Sequence, residues 1–208
     1  MPKITHIEFR RRKPERFIVH FDDDEVHTFS PETALKHGFV LEKEFSEDEF
    51  FEIIKEDSIR RAKDQALRYL EIRAHSKKEL MIKLLRKSFP RQIIETALSD
   101  LKKVDLVNDE IFAHQFIRNE LNLRPGSKKL LRSKLLQKGI TSEIFEPILD
   151  KFYEQEDEEK IALQIAQKFL KTQGKLKDEK QKEKLIRHLV NKGFDWEVID
   201  SVVKEKGY

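Results

Sequence analysis

The sequence contains one segment in two copies, and this repeat constrains the fold more than any other feature. Residues 127–152 match residues 76–101 without a gap at an offset of 51, both in their apolar positions and in a leading Ser-Lys-Lys. A weaker third copy aligns 189–194 with 135–140. Recurrence near 50 residues indicates a supersecondary unit that is repeated, with each copy stacking on the next.

Each repeat is predicted to consist of three helices. Ser76 and Glu79 have the spacing of a capping box, and Asn108 is a suitable N-cap before two carboxylates. Gly139 and Gly193 follow the middle helices of repeats two and three, where a left-handed residue commonly ends a helix. The helices predicted for repeats one and two cover 57–73, 76–87, 90–103, 109–122, 128–138 and 142–153.

Two features disagree with this scheme. Pro147 lies inside the last predicted helix of repeat two, where a proline removes a hydrogen bond and costs about 3 kcal/mol unless the helix kinks or starts late. The match between the repeats still favours a helix there. In repeat three, a polar link over 172–181 separates the first and second helices, so we expect a mobile loop in that repeat.

The first 56 residues have a different pattern. Apolar and polar residues alternate loosely over 3–29, which predicts short antiparallel strands with turns at 13–15 and 22–25. Ser30 followed by Pro31 predicts the start of a short helix. Ser46 and Glu49 predict the capping box of another helix, whose period continues to about Arg73.

The predicted fold is therefore mainly α, an elongated tandem array of three three-helix repeats preceded by a small strand-containing N-terminal segment. Charged residues make up 39% of the chain and hydrophobic residues 38%, which suits stacked amphipathic helices better than one thick core. The predicted parts are an N-terminal extension of β-hairpin and helix at 1–56 and repeats at 57–106, 107–153 and 154–208.

The net charge of +3 is unevenly distributed. Residues 1–56 have a net charge of −5, residues 57–106 of +6 and residues 107–153 of +2, while the remainder is neutral. An acidic head before a basic middle suggests an acidic or polyanionic partner for the middle repeats. A solvated basic surface without a partner is the alternative interpretation.

Several functional classes find no support in the sequence. There is no cysteine, and we see no Gly-rich phosphate loop, no outstanding carboxylate pair and no His pairing of a zinc helix. The Asp22-Asp23-Asp24-Glu25 run lacks the spacing of a calcium loop. We therefore expect no enzyme, metal or cofactor. Without an apolar leader or a membrane-length apolar stretch, we expect a soluble cytoplasmic monomer that does not associate with membranes.

An ordered set of short motifs across the repeats resembles the RecX family. These motifs are Arg-Ala-His-Ser-Lys-Lys-Glu-Leu at 73–80, Asn-Asp-Glu-Ile-Phe-Ala at 108–113, Gly-Ser at 126–127, Lys-Gly-Ile at 138–140 and Lys-Gly-Phe at 192–194. The resemblance covers 57–208, and the head is similar to the N-terminal extension of some RecX proteins of Gram-positive bacteria. No single motif is specific, whereas the ordered set is.

The resemblance implies a non-catalytic regulator of the RecA recombinase. Such a protein would lie along RecA filaments on DNA and suppress strand exchange, ATP hydrolysis and co-protease activity. Single- and double-stranded DNA would be contacted weakly or through the filament. The competing hypothesis is a nucleic-acid-binding module that uses its three-helix units like helix-turn-helix domains and acts on DNA directly.

The candidate contact residues are basic side chains that recur at matched places in repeats one and two. Lysine near a helix start is mildly unfavourable against the helix dipole, which favours a function for the Ser-Lys-Lys lysines, although solvated helix ends remain the alternative. Arg10-Arg11-Arg12-Lys13 is a weaker nucleic-acid candidate, because alternate strand residues face opposite sides. The candidates are Arg73, Lys77, Lys78, Arg86, Lys87, Arg124, Lys128, Lys129, Arg132, Lys134 and Lys138.

Overall fold

A computed structural model describes residues 1–12, 14–155, 157–173 and 179–205. The head and the first long helix comprise β1 (Ile4–Arg10), β2 (Arg16–Phe21), β3 (Val26–Phe29), α1 (Pro31–Lys36) and α2 (Glu47–Ile72). The later helices are α3 (Lys77–Leu85), α4 (Arg91–Lys103), α5 (Asp109–Leu123), α6 (Lys128–Gln137), α7 (Ser142–Gln155), α8 (Glu158–Gln173), α9 (Glu179–Asn191) and α10 (Trp196–Glu205). The predicted fold class, a helical repeat protein with a small strand-containing head, is confirmed.

The head is an antiparallel meander in the order β1-β2-β3. Its inward face is apolar because alternate residues of a strand point to the same side, and Ile4, Val19, Phe21 and Phe29 are buried together with Phe45, Phe50 and Ile53. The strands and the turn at 22–25 agree with the prediction. Lys13, which belongs to the other predicted turn, lies outside the described residues.

Helix α2 joins the head to repeat one without a break. Ser46 caps it by accepting a hydrogen bond from the Glu49 amide at 3.2 Å. The helix then runs for 26 residues, as the period from Ser46 to about Arg73 predicted, so the segment 57–73 assigned to repeat one is the later part of this helix. Its Asp57 is buried and accepts a hydrogen bond from the Ser30 amide at 2.8 Å, which ties the middle of α2 to the start of α1.

Each repeat has its own apolar core. The buried residues of repeat one lie on α2, α3 and α4, with Val107 added after α4. Those of repeat two lie mainly on α5, α6 and α7, and those of repeat three on α8, α9 and α10. Three thin cores in series explain how a chain with so many charged residues folds, because each helix needs only one apolar stripe.

The special residues of the helical repeats have the predicted roles, with small differences. Gly139 and Gly193 have φ of +80° and +83° and follow α6 and α9, and Asn108 caps α5 through the amides of Glu110 and Ile111. Pro147 is exposed inside a continuous α7. The polar link of repeat three is shorter than predicted, since Thr172 belongs to α8 and Glu179 begins α9, while 174–178 lie outside the described residues.

The chain divides into two compact units. One contains Met1–Arg73 and Leu80–Val107, and the other contains Ala74–Glu79 and the chain from Asn108 onward. The first turn of α3, which includes the Ser-Lys-Lys of repeat one, therefore belongs with repeats two and three. Within the described ranges, none of the helices is long and apolar enough to cross a membrane.

Candidate partner-binding surface

The Ser-Lys-Lys segment of each repeat packs against the Lys-Gly segment of the repeat that follows. We name these contacts the first joint, formed by Ser76 with Lys138 and Gly139, and the second joint, formed by Ser127 with Lys192 and Gly193. In both, the start of one middle helix meets the end of the next middle helix. Both joints lie inside the second compact unit.

At the first joint, the buried Ser76 side chain makes two hydrogen bonds. Its hydroxyl accepts from the Glu79 amide at 3.1 Å, which caps α3, and donates to the Lys138 carbonyl at 2.7 Å. A Cβ on Gly139 would lie 2.6 Å from Cδ and 2.7 Å from Cβ of Lys78. Glycine is needed at 139 both for its positive φ and for this close approach.

The second joint has the same plan with a different hydrogen bond. The Ser127 hydroxyl accepts from the Leu130 amide at 3.1 Å and caps α6, while the Ser127 backbone amide donates to the Lys192 carbonyl at 2.9 Å. A Cβ on Gly193 would lie 2.6 Å from Ser127 Oγ and 2.9 Å from Leu130 Cβ. The glycine at 193 is therefore needed for the same two reasons.

A carboxylate from the first helix of the following repeat completes each joint. Asp109, the first residue of α5, accepts a hydrogen bond from the Lys77 amide at 2.8 Å. Glu158, the first residue of α8, accepts from the Lys128 amide at 2.9 Å. An anion at a helix N-terminus is favourable, so these acids stabilise the starts of α3 and α6. Sequence reasoning missed this role, although both acids begin a helix.

Most of the basic candidates in repeat two are paired with carboxylates. Arg132 makes a bidentate pair with Glu146 through contacts of 2.7 Å, and these hydrogen bonds raise the pKa of Arg132. Lys129 contacts Asp195 at 3.0 Å and Lys138 contacts Glu79 at 2.6 Å. Lys128 pairs with Asp150 and Lys134 with Glu120.

The repeat-one candidates have a different environment. Arg73, Lys77, Lys78, Arg86 and Lys87 are all exposed. Among the described residues, no carboxylate oxygen lies within 4.0 Å of the charged groups of Lys77, Lys78, Arg86 or Lys87. Arg124 of repeat two is also exposed and likewise has no such carboxylate among the described residues. Basic residues at matched positions of repeats one and two therefore differ in whether a carboxylate of the protein pairs with them.

The two joint lysines differ as well. Lys138 has Glu79 as its partner, and 51 residues on from Glu79 the sequence has Leu130. The second joint lacks that carboxylate, and the pKa of Lys192 is lowered chiefly by burial and then by Lys134, while Glu120 opposes the shift and Arg124 contributes least to it. Lys192 was not a sequence candidate, although its alignment with Lys138 marks it.

A head followed by three linked three-helix units defines the class of this protein as a helical-repeat protein. Family models for the first, second and third three-helix domains of RecX match residues 62–101, 108–146 and 156–203. The chain belongs to the RecX family. This confirms the resemblance that the repeat motifs indicated.

The chain is similar over nearly its whole length to proteins named regulatory protein RecX. It is 32% identical over 208 residues to the one from Clostridium perfringens (strain SM101 / Type A), covering 98% of this chain and 96% of that protein. It is 30% identical over 207 residues to the one from Clostridium botulinum (strain Eklund 17B / Type B), covering 99% and 96%.

Solved structures agree with the fold. A crystal structure of regulatory protein RecX superposes with a TM-score of 0.70 at 21% identity, covering 97% of this chain and 98% of that chain. The crystal structure of RecX from Lactobacillus salivarius gives a TM-score of 0.60 at 25% identity, covering 72% and 97%.

Proposed function

We propose that this protein regulates the RecA recombinase by binding RecA filaments on DNA and inhibiting strand exchange, ATP hydrolysis and co-protease activity. The observation that supports this most is the succession of first, second and third RecX domains in one chain. The RecX resemblance implies RecA as the partner. The protein is a non-catalytic, monomeric cytoplasmic regulator that needs no cofactor and does not associate with membranes, and DNA is contacted weakly or through the filament.

The contact surface in this proposal consists of the matched basic side chains. Those of repeat one contribute most, because Lys77, Lys78, Arg86 and Lys87 have no carboxylate partner among the described residues. Five side chains of repeat two would have to give up an internal carboxylate to bind a partner, which reduces the binding free energy that they can contribute. They are Lys128, Lys129, Arg132, Lys134 and Lys138. Arg73 and Arg124 are exposed and belong to the same proposed surface.

The experiment is DNA-dependent ATP hydrolysis by purified RecA, measured while this protein is added. We expect inhibition at stoichiometric levels, and an unchanged rate at those levels would contradict the proposal. Binding to bare DNA with a clear sequence preference would instead favour the helix-turn-helix-like module.

A pair of variants tests the contact surface. Lys77→Glu with Arg86→Glu reverses two exposed charges that have no carboxylate partner among the described residues. We expect the concentration of this protein that gives half-inhibition to rise about tenfold or more, since each lost charge contact is worth about 1 kcal/mol. A glutamate at 77 is favourable for the helix dipole but lies beside Asp109, which binds the residue 77 amide, so the helix content of the variant is compared with that of the wild type by circular dichroism. Lys102→Glu with Lys204→Glu is the control with the same change in net charge, and equal losses in the two variants would contradict the assigned surface.

A further inference from the structure

A groove in the first compact unit is lined by basic side chains from three separate segments. We name it the basic groove. Arg16 comes from the start of β2, Arg61 and Arg68 from α2, and Lys87 from the turn after α3, and Asp64 is the only acid among the residues that line it. Sequence distance hides this convergence, because these cations lie in parts of the chain predicted to be separate.

A neighbouring concavity extends the basic groove along the sheet. It shares Pro14 and Arg16 with the groove and adds Arg10 and Arg12. Arg10 lies directly opposite Arg16 in the β1–β2 ladder. Like charges at directly opposed positions destabilise a sheet, so this pair is favoured only when an anion compensates it.

The cations of the basic groove and of its extension have no ion-pair partner in the part of the chain that the structure describes. For Arg10, Arg12, Arg16, Arg61, Arg68 and Lys87, no carboxylate oxygen of the described chain lies within 4.0 Å. Their neighbours on α2 are different, since Arg60 pairs with Glu32 at 3.6 Å and Lys63 pairs with Asp100 at 2.5 Å. Arg60 and Lys63 are therefore neutralised by ion pairs, while the arginines of α2 along the groove have only Asp64 near them and no ion pair within the described residues.

We propose that the basic groove binds the phosphodiester backbone of a nucleic acid. Five of the six cations in the groove and its extension are arginine, whose planar guanidinium matches phosphate through two parallel hydrogen bonds. Arg61 and Arg68 are two helical turns apart, roughly 10 Å along α2, so the two guanidinium groups can contact different phosphates of one strand. The extended row suits a polymer of phosphates better than a single anion.

This site does not rest on the proposed action on RecA. It lies in the head and the first repeat, and it shares only Lys87 with the matched basic surface proposed above. It also differs from a helix-turn-helix reader, because backbone contacts position a protein on nucleic acid and carry no sequence information. An acidic protein segment is the competing ligand, and the experiment separates the two.

The experiment measures binding of the full chain to a mixed-sequence labelled oligonucleotide, single-stranded in one arm and duplex in the other, with no recombinase present. For Arg61→Ala with Arg68→Ala, we expect about tenfold weaker binding or more, and a slope of log K against log salt that is smaller in magnitude by about 2 for duplex. Binding in either arm supports the site, and the stronger arm identifies its preferred strand form.

Arg91→Ala with Lys103→Ala is the matched control, because it removes two exposed charges from α4 outside the groove. Equal weakening in the two double variants would overturn the site, as would absence of wild-type binding to both oligonucleotides at low salt. If poly-glutamate displaces the oligonucleotide at equal charge, the ligand is an acidic protein and the phosphate assignment fails. If the double variant does not fold, Arg16→Ala, which leaves α2 unchanged, replaces it in the same binding measurement. Unchanged binding by a folded Arg16→Ala variant would then overturn the site.

Discussion

The first and second joints use the same backbone plan with different electrostatics. In each, a capping serine contacts a lysine-glycine pair whose glycine is left-handed. A carboxylate from the first helix of the following repeat accepts a hydrogen bond from the amide of the lysine that follows the serine. They differ where Glu79 of the first joint is replaced by Leu130 in the second. The serine and the glycine therefore carry the geometry that the joints share, whereas the ion pairs differ, with Glu79–Lys138 at the first joint and Lys129–Asp195 beside the second.

The difference also changes what the serine does. Ser76 uses its hydroxyl both to cap α3 and to donate to the Lys138 carbonyl, whereas Ser127 reaches the Lys192 carbonyl with its backbone amide. A serine side chain is thus a structural link at the first joint and only a cap at the second. Four predictions test this contrast, beginning with the largest expected effect.

Alanine at the two joint glycines should be the most damaging change. Gly193→Ala places a Cβ against the Ser127 hydroxyl and Leu130 Cβ at positive φ, and we expect a loss of about 2–4 kcal/mol in the free energy of unfolding. Gly139→Ala places a Cβ 2.7 Å from the Lys78 Cβ, also at positive φ, and a comparable loss is expected. Urea unfolding of both variants measures the two losses, and a loss below about 1 kcal/mol in either variant would contradict the need for glycine at that joint.

Alanine at the capping serines should have the next largest effect on stability, and the effect should differ between the joints. Ser76→Ala removes a cap and a hydrogen bond to the Lys138 carbonyl, so we expect a loss of about 2 kcal/mol. Ser127→Ala removes a cap and leaves the backbone bond to Lys192, so about 1 kcal/mol is expected. Unfolding curves under one set of conditions compare them. Equal losses would show that the Ser76–Lys138 bond adds nothing.

The ion pair of the first joint should have a smaller effect. Glu79→Gln weakens its contact with Lys138, a pair whose side chains are 15% and 36% exposed, and we expect a loss of roughly 0.5–1 kcal/mol. A double-mutant cycle with Lys138→Met isolates the pair. A coupling energy of zero would show that this ion pair adds nothing to the stability of the first joint.

The smallest effect concerns Lys192. Its pKa is lowered, chiefly by burial, so its protonated form is less favourable in the folded protein than in the unfolded chain. Wild-type stability should therefore increase as pH rises from the folded pKa towards the ordinary value of 10.5. Lys192→Met should stabilise the protein slightly at pH 7, by less than about 1 kcal/mol.

The check for Lys192 is the stability difference between variant and wild type followed with pH. The gain at pH 7 should shrink as pH approaches 10.5, because the charge that the variant removes is then lost from the wild type as well. Lys204→Met, at an exposed lysine of α10, is the control. A gain that is constant with pH would indicate better apolar packing and no electrostatic contribution.

The sequence was sufficient to predict the repeats, their caps and the left-handed glycines, because these depend on local residue chemistry. Ser46, Asn108, Gly139 and Gly193 each act within a few residues of their own position. The continuity of α2 was also predictable, since neither glycine nor proline occurs between Ser46 and Arg73. The boundary predicted at 56 nevertheless falls inside this helix.

The compensation of the surface charges was not predictable in the same way. Lys129 finds its carboxylate 66 positions away and Lys138 finds its own 59 positions away. Pairing at that range depends on how repeats stack, which a periodic pattern does not specify. For the same reason Arg16, Arg61 and Arg68, which are unrelated in sequence, were not expected in one groove.

The uninterrupted helix α2 has a consequence for how the protein opens. The head and repeat one share the same 26-residue helix. Near the middle of this helix, the buried Asp57 carboxylate accepts a hydrogen bond from the Ser30 amide. The two should therefore unfold as one cooperative unit. In native-state hydrogen exchange, the amides of β2 and of α4 would become accessible together, and a fragment cut at 57 would start without a cap and with an orphaned carboxylate.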